Sequence, residues 1–154
     1  HRLNTITGGP PEAIKNAMSH YRTQLEQPEA DWNPGVLEPV IGATLHIYLA
    51  SSNQAAVDRV HQAFPAYHRN LVTLFERYDI PFTDPSLGGN TDLALKLGVL
   101  IAAAPENAVE QIELLVAETG LEYLTLSFAW GNLTHKETMD SLRLFVNEVM
   151  PHFQ

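Results

Sequence analysis

His46 is the side chain in this sequence best placed to do chemistry. It stands in the run from Pro39 to Ala50, where Val40, Gly42, Thr44, His46 and Tyr48 alternate with Ile41, Ala43, Leu45, Ile47 and Leu49. Alternation of this kind is the mark of a strand. His46 is therefore expected on the mixed face, near the C-terminal end, where a neutral imidazole can donate or accept one proton. The alternative is a hydrogen-bonded core histidine with Thr44 or Ser127 as neighbour, since no carboxylate lies close in sequence to orient the ring. Gly8 and Gly9 precede a helix, a place where backbone N–H groups can cradle a phosphate. Pro10 and Pro11 remove two of those donors, and a tight strand-to-helix turn accounts for the glycines equally. His61 and His68 flank Pro65 with no His-Glu-x-x-His pattern, Asp-rich loop or thiol beside them, so surface histidines are expected rather than a metal site. Hydrolase, NTPase and Rossmann readings find no Gly-x-Ser-x-Gly, Walker loop or Gly-x-Gly-x-x-Gly to support them.

The elements that position these residues are read from periodicity. Arg2 to Ile6 is a short strand ending at Thr7-Gly8-Gly9. A helix over about 11–26 carries prolines in its first turn, with Ala13, Ile14, Ala17, Met18, Tyr21 and Leu25 at helical spacing. Gln27 to Pro39 is a loop. The strand around His46 has one aliphatic face and one mixed face lacking Lys, Glu or Gln, so both faces are expected to be buried, as in a parallel strand. Ser51 and Gln54 have the form of a capping box, and the helical run after them is expected to kink or divide at Pro65. Asp92 to Gly98 is one or two helical turns. Pro105 opens a helix that Gly120 stops. Glu122 to Trp130 is the third strand, with Leu124, Leu126, Phe128 and Trp130 on one face. Trp130 is thereby expected in helix-facing core, with pocket lining as the alternative. Thr134 and Glu137 form a second capping box for the last helix, which runs to Pro151.

Strands alternating with helices mean a parallel sheet with helical crossovers. Three strands cannot close, and a barrel of eight such units takes roughly 250 residues. The 154 residues, with 45% hydrophobic and 18% charged content, make one domain with a real core. The expected class is α/β: the C-terminal part of a TIM-like barrel, about three parallel strands with flanking helices and a helical insertion at about 51–100. Nine basic against eighteen acidic residues, net charge −9, argue against nucleic acid or an anionic membrane surface as partner. No apolar run is long enough to span a bilayer, and no secretory signal is recognisable. Zero cysteine excludes disulfides and suits a reducing cytosol. The first residue is His1 rather than Met, so the chain is expected to be processed, tagged or cut from something longer.

The phrase SLRLFVNEVMPHF, Ser141 to Phe153, preceded by LSFAWGNLTH, Leu126 to His135, resembles the C-terminal end of the luciferase-like flavin-dependent monooxygenases. LHIYLASS, Leu45 to Ser52, is similar to that family's penultimate barrel strand, and GGPPEAIKNAMSHYR, Gly8 to Arg22, to the helix before it. Two positions depart from the pattern. Leu45 stands where many members have Arg, and Ala103-Ala104-Pro105-Glu106 stands for a Gly-Ser/Thr-Pro-Glu turn, without the N-cap hydroxyl.

The resemblance implies a TIM-like barrel of which this chain covers the last strands, most of the flavin site lying on strands before it. It implies FMN, supplied reduced by a partner reductase, or in one branch F420, with a small organic substrate and O2. His46 would then donate to a flavin oxygen, as the catalytic candidate. Asn4 and Thr5, at the end of the first strand, would contact flavin or substrate; loop capping by their side chains is the equal alternative. Ile80 to Asn90 falls where the family has a mobile active-site segment and reads as a lid or as an inert loop. The alternative for the whole is a truncated, non-catalytic barrel relative binding flavin weakly or not at all. In either case the exposed apolar edges imply a homo-oligomer, or association with the missing half of the barrel.

Overall fold

The computed structural model describes residues 3–26, 39–81 and 88–153. The expected loop at 27–39 and most of the segment read as a lid, 80–90, lie outside them. The order is β1 (Thr5–Gly8), α1 (Pro11–Leu25), β2 (Ile41–Leu49), α2 (Asn53–Arg77), α3 (Thr91–Lys96), β3 (Leu100–Ala103), α4 (Pro105–Thr119), β4 (Tyr123–Ser127) and α5 (His135–Leu144). A π-helical turn, Phe145–Val149, and a 3-10 turn, Met150–Phe153, finish it.

Among the described residues all pairings are parallel, and β2 makes every one of them. β1 lies beside its first half (Thr5 opposite Ile41), β3 beside its second half (Leu49 opposite Ala103), and β4 beside Gly42 to His46. The sheet is open and does not close into a barrel. It has four strands among the described residues, not three. The extra one, Leu-Ile-Ala-Ala, is too short and too uniformly apolar to show alternation, and all four of its residues are buried.

The faces of β2 divide the core in two. Ile41, Ala43, Leu45, Ile47 and Leu49 pack with Ile14 and Met18 of α1, the apolar stripe of α4, and Val149. On the other face Tyr48, with Leu100 and Ala102 of β3, meets Ala56, Val60, Ala63 and Phe64 of α2. That mixed face is covered only in its upper half: Thr44 is exposed, which corrects the expectation of a strand buried on both sides. Helix α2 reaches only the C-terminal part, and Gly42 is buried because Tyr123 lies over it.

Local chemistry fixes the helix ends. Ser52, not Ser51, caps α2 by accepting the Ala55 N–H at 3.2 Å. Pro65 does not divide α2, which is one helix of 25 residues. Ala104 has no side chain with which to cap α4, and its own N–H donates to Asn53 Oδ1 at 2.8 Å, which ties the start of α4 to α2. Gly120 ends α4 in the left-handed conformation, φ 65°. The Thr134–Glu137 capping box forms in full at the start of α5. Ser141 of α5, 1% exposed, accepts the Leu49 N–H at 2.8 Å and fastens the last helix to the end of β2. Among the described residues no helix is long and apolar enough to cross a membrane.

Candidate functional site

β2 carries His46 to the level of Ser127, the last residue of β4, and Leu100, the first of β3. It is thus in the C-terminal half of β2, level with the end of β4, and half-buried on the mixed face. Ser127 is its neighbour across the strands, as expected, but no hydrogen bond joins them among the bonds described, and the closest packing is with rings. The Tyr67 ring of α2 lies 4.4 Å away, tilted by 55°, and the Trp130 ring meets it edge-on at 5.6 Å. Phe64 packs against both Tyr67 and Trp130. Tyr48, one strand pleat above, completes the cluster.

Burial sets the protonation of this surface. It lowers the His46 pKa, so the imidazole is neutral at pH 7. Burial also raises Tyr67, and it raises Tyr48 with help from the Glu137 carboxylate, so both phenols keep their protons. The result is an uncharged aromatic cluster holding one neutral imidazole.

Trp130 belongs to this wall. Alternation had placed it with Leu124, Leu126 and Phe128, which do pack in the first core. β4 ends at Ser127, however, and beyond it the chain turns, so parity no longer sets the side. Trp130 is 7% exposed in the second core, its indole N–H donating to the Ile47 carbonyl at 3.3 Å. Gly131, at φ 62°, presses on α2: a Cβ there would lie 2.2 Å from the Ala63 carbonyl oxygen.

Arg59 of α2 holds the next residues, and nothing in the sequence pointed to it. Its guanidinium donates to both Glu137 oxygens, at 2.6 and 3.1 Å, and to the side-chain and backbone oxygens of Asn132, at 3.0 and 2.8 Å. The pair is largely covered, and this contact lowers the Glu137 carboxyl to about 2. The one trace in sequence is Glu137 itself, whose capping box leaves a carboxylate oxygen for another partner.

The remaining candidates are not brought together with His46. Thr5 begins β1 rather than ending it, and Asn4 precedes it, accepting the Val40 N–H at 3.0 Å. Thr5 pairs with Ile41, five residues below His46, about 16 Å along the strand. Gly8 and Gly9 make the β1-to-α1 turn, with Pro10 as N-cap and Pro11 in the first position of α1. His61 pairs with Asp92 of α3 at 3.3 Å, and half-buried His68 packs on Gly89, so only His61 is the surface residue expected. Among the described residues no three His, Asp or Glu side chains gather as a metal site. A cavity of about 490 Å³ lies on the other face among Pro10, Pro11, Leu45 and Leu95. Apolar grooves run along both open edges. One of about 440 Å³ flanks β4, between Val116, Tyr123, Met150 and Phe153; another of about 440 Å³ flanks β1, between Thr5, Ile6, Ala17 and Tyr21.

No protein family and no curated protein matches the sequence. Solved structures do match the fold. Monooxygenase RslO1 from Streptomyces bottropensis is similar at a TM-score of 0.70 and 21% identity, over 98% of this chain and 42% of that one. The oxygenating constituent of 3,6-diketocamphane monooxygenase from Pseudomonas putida, a type II Baeyer–Villiger monooxygenase solved with FMN, is similar at 0.64 and 16%, over 95% of this chain and 42% of that one. Apo-MsnO8 is similar at 0.56 and 16%, over 88% and 40%. The chain thus spans about two-fifths of the length of these proteins, and its architecture is that of part of a TIM-like fold.

Proposed function

We propose that this chain is the C-terminal section of a luciferase-like flavin-dependent monooxygenase and supplies one wall of its pocket. The observation that carries this reading is the neutral aromatic surface of His46, Tyr67 and Trp130. It lies toward the C-terminal end of a parallel sheet, where barrel enzymes keep their sites, in a fold shared with an FMN-bound monooxygenase. When bound, reduced FMN would supply the redox chemistry by which one oxygen atom of O2 enters a small organic substrate.

This chain's residues fit one side of such a cofactor. Half-buried Tyr67 offers apolar surface, and Trp130, 7% exposed, packs behind it and excludes water. His46 offers a neutral imidazole N–H as a hydrogen-bond donor at pH 7. The phosphate end is not provided for: Pro10 and Pro11 withhold N–H groups beside Gly8-Gly9, and Asn4 and Thr5 lie at the far end of the sheet. In this reading the 51–100 segment is an insertion whose helix α2 backs the wall. The open edges, where Ile6, Tyr123 and Phe153 are 48%, 50% and 42% exposed, are covered by a second copy or by the preceding barrel section.

The test is a fluorescence titration of FMN with the 154-residue chain. Saturable quenching at micromolar protein, weakened in Trp130→Leu, is the expected result. No quenching by the wild-type chain would remove the flavin assignment and favour a non-catalytic barrel relative. Sedimentation should show an associated species, and a compact monomer of 17.1 kDa would refute the covering of the edges.

A further inference from the structure

We infer that Arg59 is a positioning residue for the pocket wall: by clamping the loop after β4 to α2, it sets where the Trp130 ring stands against His46. Arg59, Ala63 and Tyr67 recur at i, i+4 and i+8, so they share one face of α2. Along that face they meet, in order, Asn132, Gly131, and the His46–Trp130 pair. Two consecutive loop residues are thereby registered against consecutive turns of one helix.

The register has little slack. Gly131 lies against the Ala63 carbonyl at a distance that excludes any larger residue, and the indole N–H of Trp130 is tied to the Ile47 carbonyl on β2. Only Arg59 grips the far side of the loop among the bonds described, with two donors on Asn132. Its other two donors hold Glu137, and through it the Thr134 cap, so loop and α5 are fixed as one piece. A planar fork is needed here: a lysine ammonium is a single point of charge and cannot serve both acceptors in the same geometry. The inference rests on the proposed function only for its meaning, that the wall faces a ligand. The placement of Trp130 can be read without one.

The experiment uses the full chain with Trp32→Phe, which leaves Trp130 as the sole tryptophan. Its emission and its quenching by acrylamide are compared in Arg59→Met, Arg59→Lys and Asn132→Ala. Val109→Ala, in the first core, serves as a variant that loses stability without touching the loop. With each protein shown folded by circular dichroism, Arg59→Met should shift the emission to the red and raise the quenching constant severalfold. Arg59→Lys should fail to restore the parental values, and Val109→Ala should keep them. If Arg59→Met does not fold, Asn132→Ala decides the matter, with a smaller rise expected because the backbone bond survives. Parental emission and quenching in the folded Arg59→Met protein, or full recovery with Lys, would overturn the inference. So would parental values in Asn132→Ala, where that variant stands alone. No flavin enters the measurement. A chain that binds no FMN but loosens Trp130 keeps this inference and loses the functional reading, and the converse result does the opposite.

Discussion

Substituting alanine at three glycines separates two ways of destabilising this fold. Gly120 and Gly131 have nearly the same left-handed backbone, φ 65° and 62°, but different surroundings. At Gly120 the nearest atom to an added Cβ is the Arg22 guanidinium, 4.0 Å away. Only the conformational cost remains, about 1–2 kcal/mol. At Gly42 the backbone is extended, yet the Cβ would come within 2.5 Å of the Tyr123 carbonyl oxygen on the neighbouring strand. Both atoms belong to paired strands and cannot swing aside, so the cost is that of overpacking, about 1–3 kcal/mol. Gly131 combines the two: its Cβ would sit 2.2 Å from the Ala63 oxygen and 2.9 Å from the carbonyl carbon, both in helix α2. The expected loss is about 2–5 kcal/mol, a large share of the stability of a domain this size. Urea unfolding followed by far-ultraviolet circular dichroism, at one protein concentration, measures all three. Gly131→Ala should lose the most and Gly120→Ala the least. A Gly131→Ala protein no less stable than Gly120→Ala would refute the close approach of the loop to α2.

Three further outcomes follow from the site and its supports. The Glu137 carboxyl is held at about 2, below its unfolded value of about 4.3, so its contribution is complete above the unfolded value and fades as pH falls toward 2. Urea midpoints measured across that acid range should fall for the wild type and fall less steeply for Glu137→Gln. Burial lowers the His46 pKa, so its ring should titrate below 6.5 by NMR. Stability from this group is therefore full above about pH 6.5 and declines as pH drops toward the folded value, a slope that His46→Phe should remove. Ser141→Ala leaves the buried Leu49 N–H without its acceptor and should cost about 1–3 kcal/mol in the same unfolding assay.

What could be read in advance was what local sequence governs. Alternation over nine residues is enough to define β2, and the Thr134–Glu137 box and the Gly120 stop are four-residue and one-residue signals with their own chemistry. Features that depend on distant partners left no such mark. β3 is a strand because β2 offers it a free second half, and four apolar residues carry no period by themselves. The face chosen by Trp130 is decided by where β4 stops, and β4 stops three residues earlier than its alternating pattern does. Thr5 opens β1 rather than closing it because the strand runs on through Thr7 and Gly8, where pairing with β2 outweighs the local turn signal. His46 was legible as a candidate because it is the only titratable group on its strand except Tyr48. The rings around it came from α2 and from the loop after β4, and Arg59 reaches Glu137 across 78 positions.

The central place of β2 also sets the order in which this chain can acquire its structure. Ile41 donates its N–H to the Glu122 carboxylate across 81 positions, and Leu49 to Ser141 across 92. Val149, wholly buried, completes the core behind Ile41. At ~5–20 residues per second, a ribosome would take roughly 5–20 s to pass from Ile41 to Val149. Throughout that interval the aliphatic face of β2 has only part of its cover, since α1 precedes it but α4 and Val149 follow. Such non-local pairing makes for slow folding and a long exposure of sticky strand. The nascent protein should therefore be a client of chaperones that bind extended apolar segments, with Leu45 to Leu49 the stretch they would grip.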